Sequence, residues 1–140
     1  MNRRAAILLA ALLGLACPAF AGPTSDVVLT AKLTGKYLHA SPTDSGTAKV
    51  TLKSSQVCWQ LTWKGIGAVQ ESGIHKAPPP PTGRRKHSIL PFKAITTRKG
   101  CVSAPAAVIK TITVNPGSYY VDIHSTKYPK GAIGGRLRPA

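Results

Sequence analysis

The sequence predicts an all-β domain, a single antiparallel β-sandwich or Greek-key, barrel-like fold. Apolar and polar residues alternate along several short segments, which is the pattern of half-buried strands. Turn-forming runs separate these segments, at residues 41–46 (SPTDSG), 53–56 (KSSQ) and 115–117 (NPG). Short strands with turns between them are typical of sandwiches and barrels.

Three strands are predicted in the first half of the chain. Residues 26–34 (DVVLTAKLT) and 47–53 (TAKVTLK) each place apolar side chains on one face and Thr or Lys on the other. Residues 57–64 (VCWQLTWK) form a heavier apolar face that includes Trp59 and Trp63. Both tryptophans are therefore expected in the core.

The second half contains an extended loop, an ambiguous segment and a hairpin. Four prolines in residues 77–87 (APPPPTGRRKH) predict a stiff extended loop. Residues 105–114 (PAAVIKTITV) predict a short helical turn at most, or another strand. Residues 119–124 (YYVDIH) predict a strand, and Pro129 and Gly131 supply the turn before a closing strand.

The N-terminus has the parts of a cleaved secretory signal. Two arginines precede a short apolar run that ends at Ala-Phe-Ala, residues 19–21. That run is too short to span a bilayer. We therefore expect residues 1–21 to be removed, which leaves residues 22–140 as one exported domain, periplasmic or extracellular, without a transmembrane segment.

Only two cysteines, Cys58 and Cys101, remain after the expected cleavage, because Cys17 lies in the signal. In an oxidising compartment a lone pair most economically forms one disulfide. Strand alternation places Cys58 on the face away from the core. Two free thiols are the alternative.

The chain is strongly basic, with a net charge of +15, or +13 without the two arginines of the signal. Such an imbalance attracts polyanions, and export makes anionic envelope polysaccharides and phosphorylated lipids the accessible partners. The predicted contact residues are Arg84, Arg85, Lys86, Arg136 and Arg138. A merely solvated basic surface is the alternative. The sequence does not favour nucleic acid as a partner, because aromatic residues do not interleave with these basic segments.

Catalysis is limited by the residues available, since the chain has four acids and four histidines. General acid–base chemistry needs paired carboxylates or a histidine with an orienting acid. The known motifs for nucleophilic, metallohydrolase, thiol-redox and phosphate-binding sites are absent from the sequence. The sequence therefore predicts a non-enzymatic protein with no cofactor.

The closing segment, residues 115–137 (NPGSYYVDIHSTKYPKGAIGGRL), resembles the end of CHRD domains, which occur in chordin and as stand-alone exported bacterial proteins. The matching positions are Tyr120, Val121, Asp122, Ile123, His124, Pro129, Gly131, Ile133, Gly135 and Leu137. Residues 33–35 (LTG) and 46–52 (GTAKVTL) fit the first two family motifs. Residues 72–83 fall where the family carries Ala-His-Ile-His-Gly-Pro-Ala. The resemblance implies an exported β domain that serves as a binding or structural module.

Metal binding is the alternative function. If residues 70–75 (QESGIH) form a strand that pairs near the closing strand, four side chains converge: Glu71, His75, Asp122 and His124. Two imidazoles with carboxylate suit zinc or copper. However, Gly73 replaces the first histidine of the family's His-x-His pair, so a complete site would need His39 or His87. The sequence therefore predicts no tight transition-metal site.

The hairpin histidine, His124, is the remaining candidate for chemistry. With Val121 and Ile123 facing inward, His124 is predicted to point outward beside Asp122. Residues at alternate positions of a strand lie side by side whether or not they act together, so the proximity of Asp122 and His124 alone does not indicate chemistry. We therefore expect His124 to be a hairpin histidine that is bonded to a neighbour.

Overall fold

The computed structural model of this chain describes residues 25–78, 88–92 and 98–140. Its strands are β1 (Val27–Thr34), β2 (Ser45–Leu52), β3 (Gln56–Lys64), β4 (Val69–Lys76), β5 (Leu90–Pro91), β6 (Lys99–Ser103), β7 (Tyr119–Ser125), β8 (Ile133–Arg136) and β9 (Arg138–Pro139). They pair antiparallel in the order β5-β4-β7-β8-β1-β2-β3-β6, with β9 also beside β1. The all-β prediction is confirmed, and the architecture is one curled half-barrel sheet.

The first three predicted strands are present and form adjacent hairpins, because each presents an apolar stripe to the same side. The register places Leu29 opposite Val50, and Val50 opposite Trp59, and all three side chains are buried. Trp63 packs against the core only in part, and the Arg98 guanidinium lies 4.0 Å from its ring centroid. The core prediction is therefore confirmed in full for Trp59 and in part for Trp63.

The curl of the sheet brings its two edges toward one another around the core. Phe92 follows β5 at one edge, and its ring stacks on Trp59 of β3 with centroids 4.6 Å apart and planes 7° apart. Stacked aromatic rings add to the energy of burying their area. This pair therefore helps to close the half-barrel.

Residues 106–114 form a nine-residue helix, α1 (Ala106–Val114), so the prediction of a helical turn at most, or a strand, was wrong. Ile109 and Ile112, three residues apart, are both buried on one face of the helix. The Thr111 and Thr113 hydroxyls donate to backbone carbonyls of the preceding turn. Tertiary burial outweighs the weak strand preference of the β-branched residues here.

The predicted disulfide is present, and it joins two neighbouring strands. Cys58 of β3 lies directly opposite Cys101 of β6, and the two sulfurs are bonded. As predicted, Cys58 lies on the sheet face that points away from the core, and the register places Cys101 on the same face.

Two predicted segments, the signal at residues 1–21 and the basic loop at residues 84–86, lie outside the described residues. Among the helices that the structure describes, none has the length and apolar character needed to cross a bilayer.

Candidate metal-binding site

Strands β4 and β7 pair and bring the predicted polar residues to one sheet face, as the metal-binding alternative required. Three cross-strand pairs define the register: Glu71 with His124, Gly73 with Asp122, and His75 with Tyr120. Side chains at alternate positions share a face. The pairing therefore gathers two imidazoles and two carboxylates.

Asp122 lies between the two histidines. Its Oδ1 is 2.9 Å from Nε2 of His75, and its Oδ2 is 3.0 Å from Nε2 of His124. The candidate ligand atoms of these three residues all lie within 4.8 Å of one another. We call His75, Asp122 and His124 the histidine–aspartate cluster.

His124 points away from the core as predicted, but it is not exposed to solvent, because Asp122 and His124 are buried and His75 is partly buried. His124 does lie on the face opposite Val121 and Ile123, yet Asp122 and His124 are each only 4% exposed. The Tyr120 ring stacks on His75, with centroids 5.2 Å apart. The hairpin after β7 also brings its backbone against the His124 ring. Alternation identifies the residues that share a face, but not what covers that face.

The hydrogen bonds of His124 constrain its protonation. Its Nδ1 lies 3.0 Å from the Pro129 carbonyl oxygen, which only accepts, so Nδ1 carries a hydrogen and donates it. This confirms a hairpin histidine bonded to a neighbour. Nε2 faces the Asp122 carboxylate, another acceptor. Nε2 therefore needs either a second proton or a metal cation.

Asp122 and His124 each stabilise the charged form of the other. Burial alone would raise the pKa of Asp122, but its contacts with His124 and His75 lower that pKa below 3.8. Burial alone would lower the pKa of His124, but the hydrogen bond to Asp122 and its charge raise that pKa above 6.5. Without metal, both shifts favour the charged forms of the two groups, an imidazolium beside a carboxylate. Burial, followed by the charge of Asp122, raises the pKa of the Tyr120 hydroxyl.

We expect the metal-free protein to be most stable at mildly acidic pH. The contribution of Asp122 is present above pH 3.8 and is lost as pH falls through its lowered pKa. The contribution of His124 is present below pH 6.5 and is lost as pH rises through its raised pKa. Urea unfolding with a chelator at pH 3, 5.5 and 8.5 measures this. A stability that is flat from pH 5.5 to 8.5 would contradict the pairing.

Glu71 and Gly73 supply no further ligand to the histidine–aspartate cluster. Glu71 Oε1 lies 3.4 Å from Nδ1 of His124, beside the ring nitrogen that faces away from Asp122. A Cβ at Gly73 would meet the Ser88 hydroxyl and, at 2.8 Å, the Leu90 carbonyl oxygen. A histidine at position 73 therefore has no room beside β5.

The other histidines and the basic residues lie elsewhere or are not described. His39 is exposed, with a φ of 56° at the end of the 3-10 turn Gly35–Leu38, and does not join the cluster. Arg136 is exposed and donates from Nη1 to the Gly117 carbonyl oxygen at 3.2 Å. Arg138 is exposed in β9. The two predicted anion-binding residues that the structure describes therefore lie on β8 and β9, and Arg136 pairs with Tyr120 of β7.

Sequence reasoning missed the groups that surround the cluster. The Pro129 carbonyl orients His124, although Pro129 was recognised only as a turn residue. Tyr120 stacks on His75, and Tyr37 packs on Tyr120 with centroids 5.7 Å apart. For Tyr120, the available signal was its alternation with Asp122 and His124 on one strand.

Comparison with known proteins bears on the whole domain. Searches of curated proteins and of solved structures found no match. The family model described as the CHRD domain matches residues 29–137. That range includes most of β1, the histidine–aspartate cluster and the closing hairpin, and it covers well over half of the chain. The chain therefore belongs to the CHRD domain family.

Proposed function

We propose that this CHRD domain is a non-enzymatic binding module that holds one zinc or copper ion in the histidine–aspartate cluster. The observation that carries the proposal is the approach of both Nε2 atoms to one buried carboxylate. This arrangement supplies nitrogen and oxygen ligands from two adjacent strands, where packing fixes their positions.

The Asp122 oxygen beside His75 adds support. Oδ1 is buried and accepts no hydrogen bond within the described part of the chain. Nε2 of His75 lies 2.9 Å from Oδ1, a contact that helps to lower the pKa of Asp122. A buried polar atom without a partner is costly. A cation among Oδ1 and the two Nε2 atoms would remove that cost.

The hydrogen bond from His124 to Pro129 is also typical of a metal ligand. Histidine ligands usually donate their second ring N–H to a carbonyl or carboxylate, which fixes the ring and its tautomer. With Nδ1 donating to Pro129, the neutral His124 presents the lone pair of Nε2 toward Asp122. Metal binding would therefore replace the proton at Nε2.

The donor set favours zinc or copper over calcium or magnesium. Imidazole nitrogens suit Zn²⁺ and Cu²⁺, whereas Ca²⁺ and Mg²⁺ prefer oxygen ligands. Tetrahedral bonds of about 2.0–2.1 Å place ligand atoms about 3.3 Å apart. The ligand atoms of the cluster contact Asp122 at 2.9 and 3.0 Å and all lie within 4.8 Å of one another, so a bound ion would require only small side-chain shifts. Three protein ligands leave a coordination position for water or an exchanging ligand.

Isothermal titration calorimetry of the metal-free protein at pH 7.5, with Zn²⁺ and separately with Cu²⁺, tests the proposal. We expect one ion per chain for at least one metal. His75→Ala and His124→Ala should each weaken that binding by about 100-fold or more, because loss of an outer-shell partner alone costs about 10–100-fold.

The matched control is His39→Asn, which removes an exposed histidine and tolerates the positive φ at that position. It should bind as the wild type does. Far-UV circular dichroism establishes that each variant is folded. If the wild type binds neither metal stoichiometrically, or if both cluster variants bind unchanged, the cluster is a structural ion pair and the proposal fails.

A second proposed function is attachment to anionic polymers of the cell envelope. The net charge of the chain and the exposure of Arg136 and Arg138 support it. Export is part of this proposal, and the Cys58–Cys101 disulfide is consistent with an oxidising compartment.

A further inference from the structure

A row of side chains crosses the outer face of the sheet, on strands other than the two that carry the histidine–aspartate cluster. Strand register places five residues side by side in this row: Arg138, Thr30, Lys49, Gln60 and Lys99. All five are exposed. Adjacent strands are about 5 Å apart, so the three cations of the row recur about every 10 Å, at every second strand.

Two more lysines enlarge this surface. Lys32 lies two residues along β1 from Thr30, and Lys64 ends β3 on the same face. We call Lys32, Lys49, Lys64, Lys99 and Arg138 the lysine face. The strands enclose a shallow depression of about 740 Å³ here, open to solvent, and its lining includes Lys32, Lys49 and Lys64.

The chain has too few acids to balance its cations, although one of them, Asp44, lies against Gly65, next to Lys64 of the lysine face. The sequence has four acids, and each is placed by the structure. Asp26 precedes β1 and Asp44 is buried, while Glu71 and Asp122 lie at the cluster on β4 and β7. The lysine face therefore combines a regular spacing of cations with a local excess of positive charge, which attracts polyanions.

We infer that the lysine face binds a linear, carboxylated polysaccharide. This inference rests on the proposed attachment to anionic polymers, and it is independent of the metal site. Hydroxyl and amide groups of Thr30, Thr47, Thr62 and Gln60 lie between the cations. They match a polymer that presents hydroxyls between its carboxylates. The Thr47 and Thr62 hydroxyls hydrogen-bond each other at 2.7 Å, which holds this part of the surface in place.

Other polyanions fit the surface less well. Single-stranded nucleic acid needs aromatic platforms for its bases. The cross-strand rows that carry the lysine face contain no aromatic side chain, and the one aromatic residue lining the depression, Trp63, is partly buried against the core under Arg98. Bidentate recognition of phosphate favours arginine, whereas four of the five cations here are lysines. A membrane surface would also be expected to meet apolar side chains beside the cations, and these rows present Thr, Gln and Lys.

Retention on immobilised polygalacturonate tests the inference. We expect the wild type to be retained at 0.1 M salt and released at 1 M, where the Debye length falls from about 10 Å to about 3 Å. The double variant Lys49→Gln/Lys99→Gln should bind about tenfold more weakly, because exposed charge contacts are individually weak but act together along a polymer. Dextran, which is neutral, should retain neither protein.

The matched control is Lys36→Gln/Lys110→Gln, which removes the same charge from exposed positions elsewhere. It should bind nearly as the wild type does. An equal loss in both double variants would indicate diffuse charge and would overturn the inference. A wild type that prefers duplex DNA or anionic lipid vesicles to polygalacturonate would overturn it as well.

A third variant distinguishes a failure of the lysine face as the binding site from a failure of anionic-polymer binding itself. In Arg84→Ser/Arg85→Ser/Lys86→Ser the lysine face is intact, so retention should persist. If only this triple variant loses retention, anionic-polymer binding stands but the lysine face is not its site. If the wild type is not retained at 0.1 M salt, both the inference and the proposed attachment fail.

Discussion

Replacement of Asp122 with alanine is expected to lower the free energy of unfolding of the metal-free protein by about 3–5 kcal/mol, the range for breaking a buried ion pair. The carboxylate contacts both His75 and His124 at hydrogen-bond length. Without it, the buried His124 must either keep an unpaired charge or lose its proton, and each outcome costs free energy.

Urea unfolding at pH 6 with a chelator measures this loss. The matched control is Asp26→Ala, an exposed acid before β1, and it should change stability by no more than about 0.5 kcal/mol. His75→Ala should cost less than Asp122→Ala, because the His75 side chain is 13% exposed and its loss leaves the contact between Asp122 and His124 intact. A loss near zero for Asp122→Ala would show that the cluster contributes nothing to folding.

The same geometry can serve a proton or a metal ion at Nε2 of His124. A proton gives the imidazolium–carboxylate pair, and a metal ion replaces it with a coordinate bond. A ligand that binds only the folded state stabilises it by about 2.7 kcal/mol at a concentration 100 times its dissociation constant. If the proposal holds, metal should therefore restore much of the stability that is lost when His124 deprotonates above pH 6.5.

Alternation in the sequence was sufficient to place residues on strand faces, but it could not predict which strands become neighbours. It correctly paired Asp122 with His124, and it separated both from Val121 and Ile123. The approach of His75 depended on the register between β4 and β7, which is a long-range property. The covering of that face depended on the closing hairpin and on Tyr120, and periodicity carries no information on either.

The loss of the family's first histidine was visible in the sequence, but its structural consequence was not. Gly73 does remove a ligand. The structure adds that β5 passes so close to Gly73 that a side chain there would collide with Ser88 and Leu90. The remaining histidine and the hairpin histidine still converge on Asp122. The sequence named these residues, and the register between β4 and β7 shows that they meet.

Loss of the disulfide, through Cys58→Ser with Cys101→Ser, is expected to lower the free energy of unfolding by about 4 kcal/mol in the chain-entropy model. The two cysteines are 43 residues apart, so the bond closes a long loop. That loop includes β4 and β5 at the opposite edge of the sheet. The bond therefore restricts the unfolded chain between the two edges of the half-barrel.

Non-reduced peptide mapping establishes the bond, and urea unfolding measures its contribution. Reduced wild type should unfold at the same urea concentration as the double serine variant, which controls for the substitutions themselves. Two freely alkylated thiols in folded protein would contradict the prediction. Strand β6 is an edge strand held to β3, and Lys99 lies two residues from Cys101. If loss of the bond also frees β6, retention on polygalacturonate should fall together with stability, because Lys99 would no longer lie in line with Lys49.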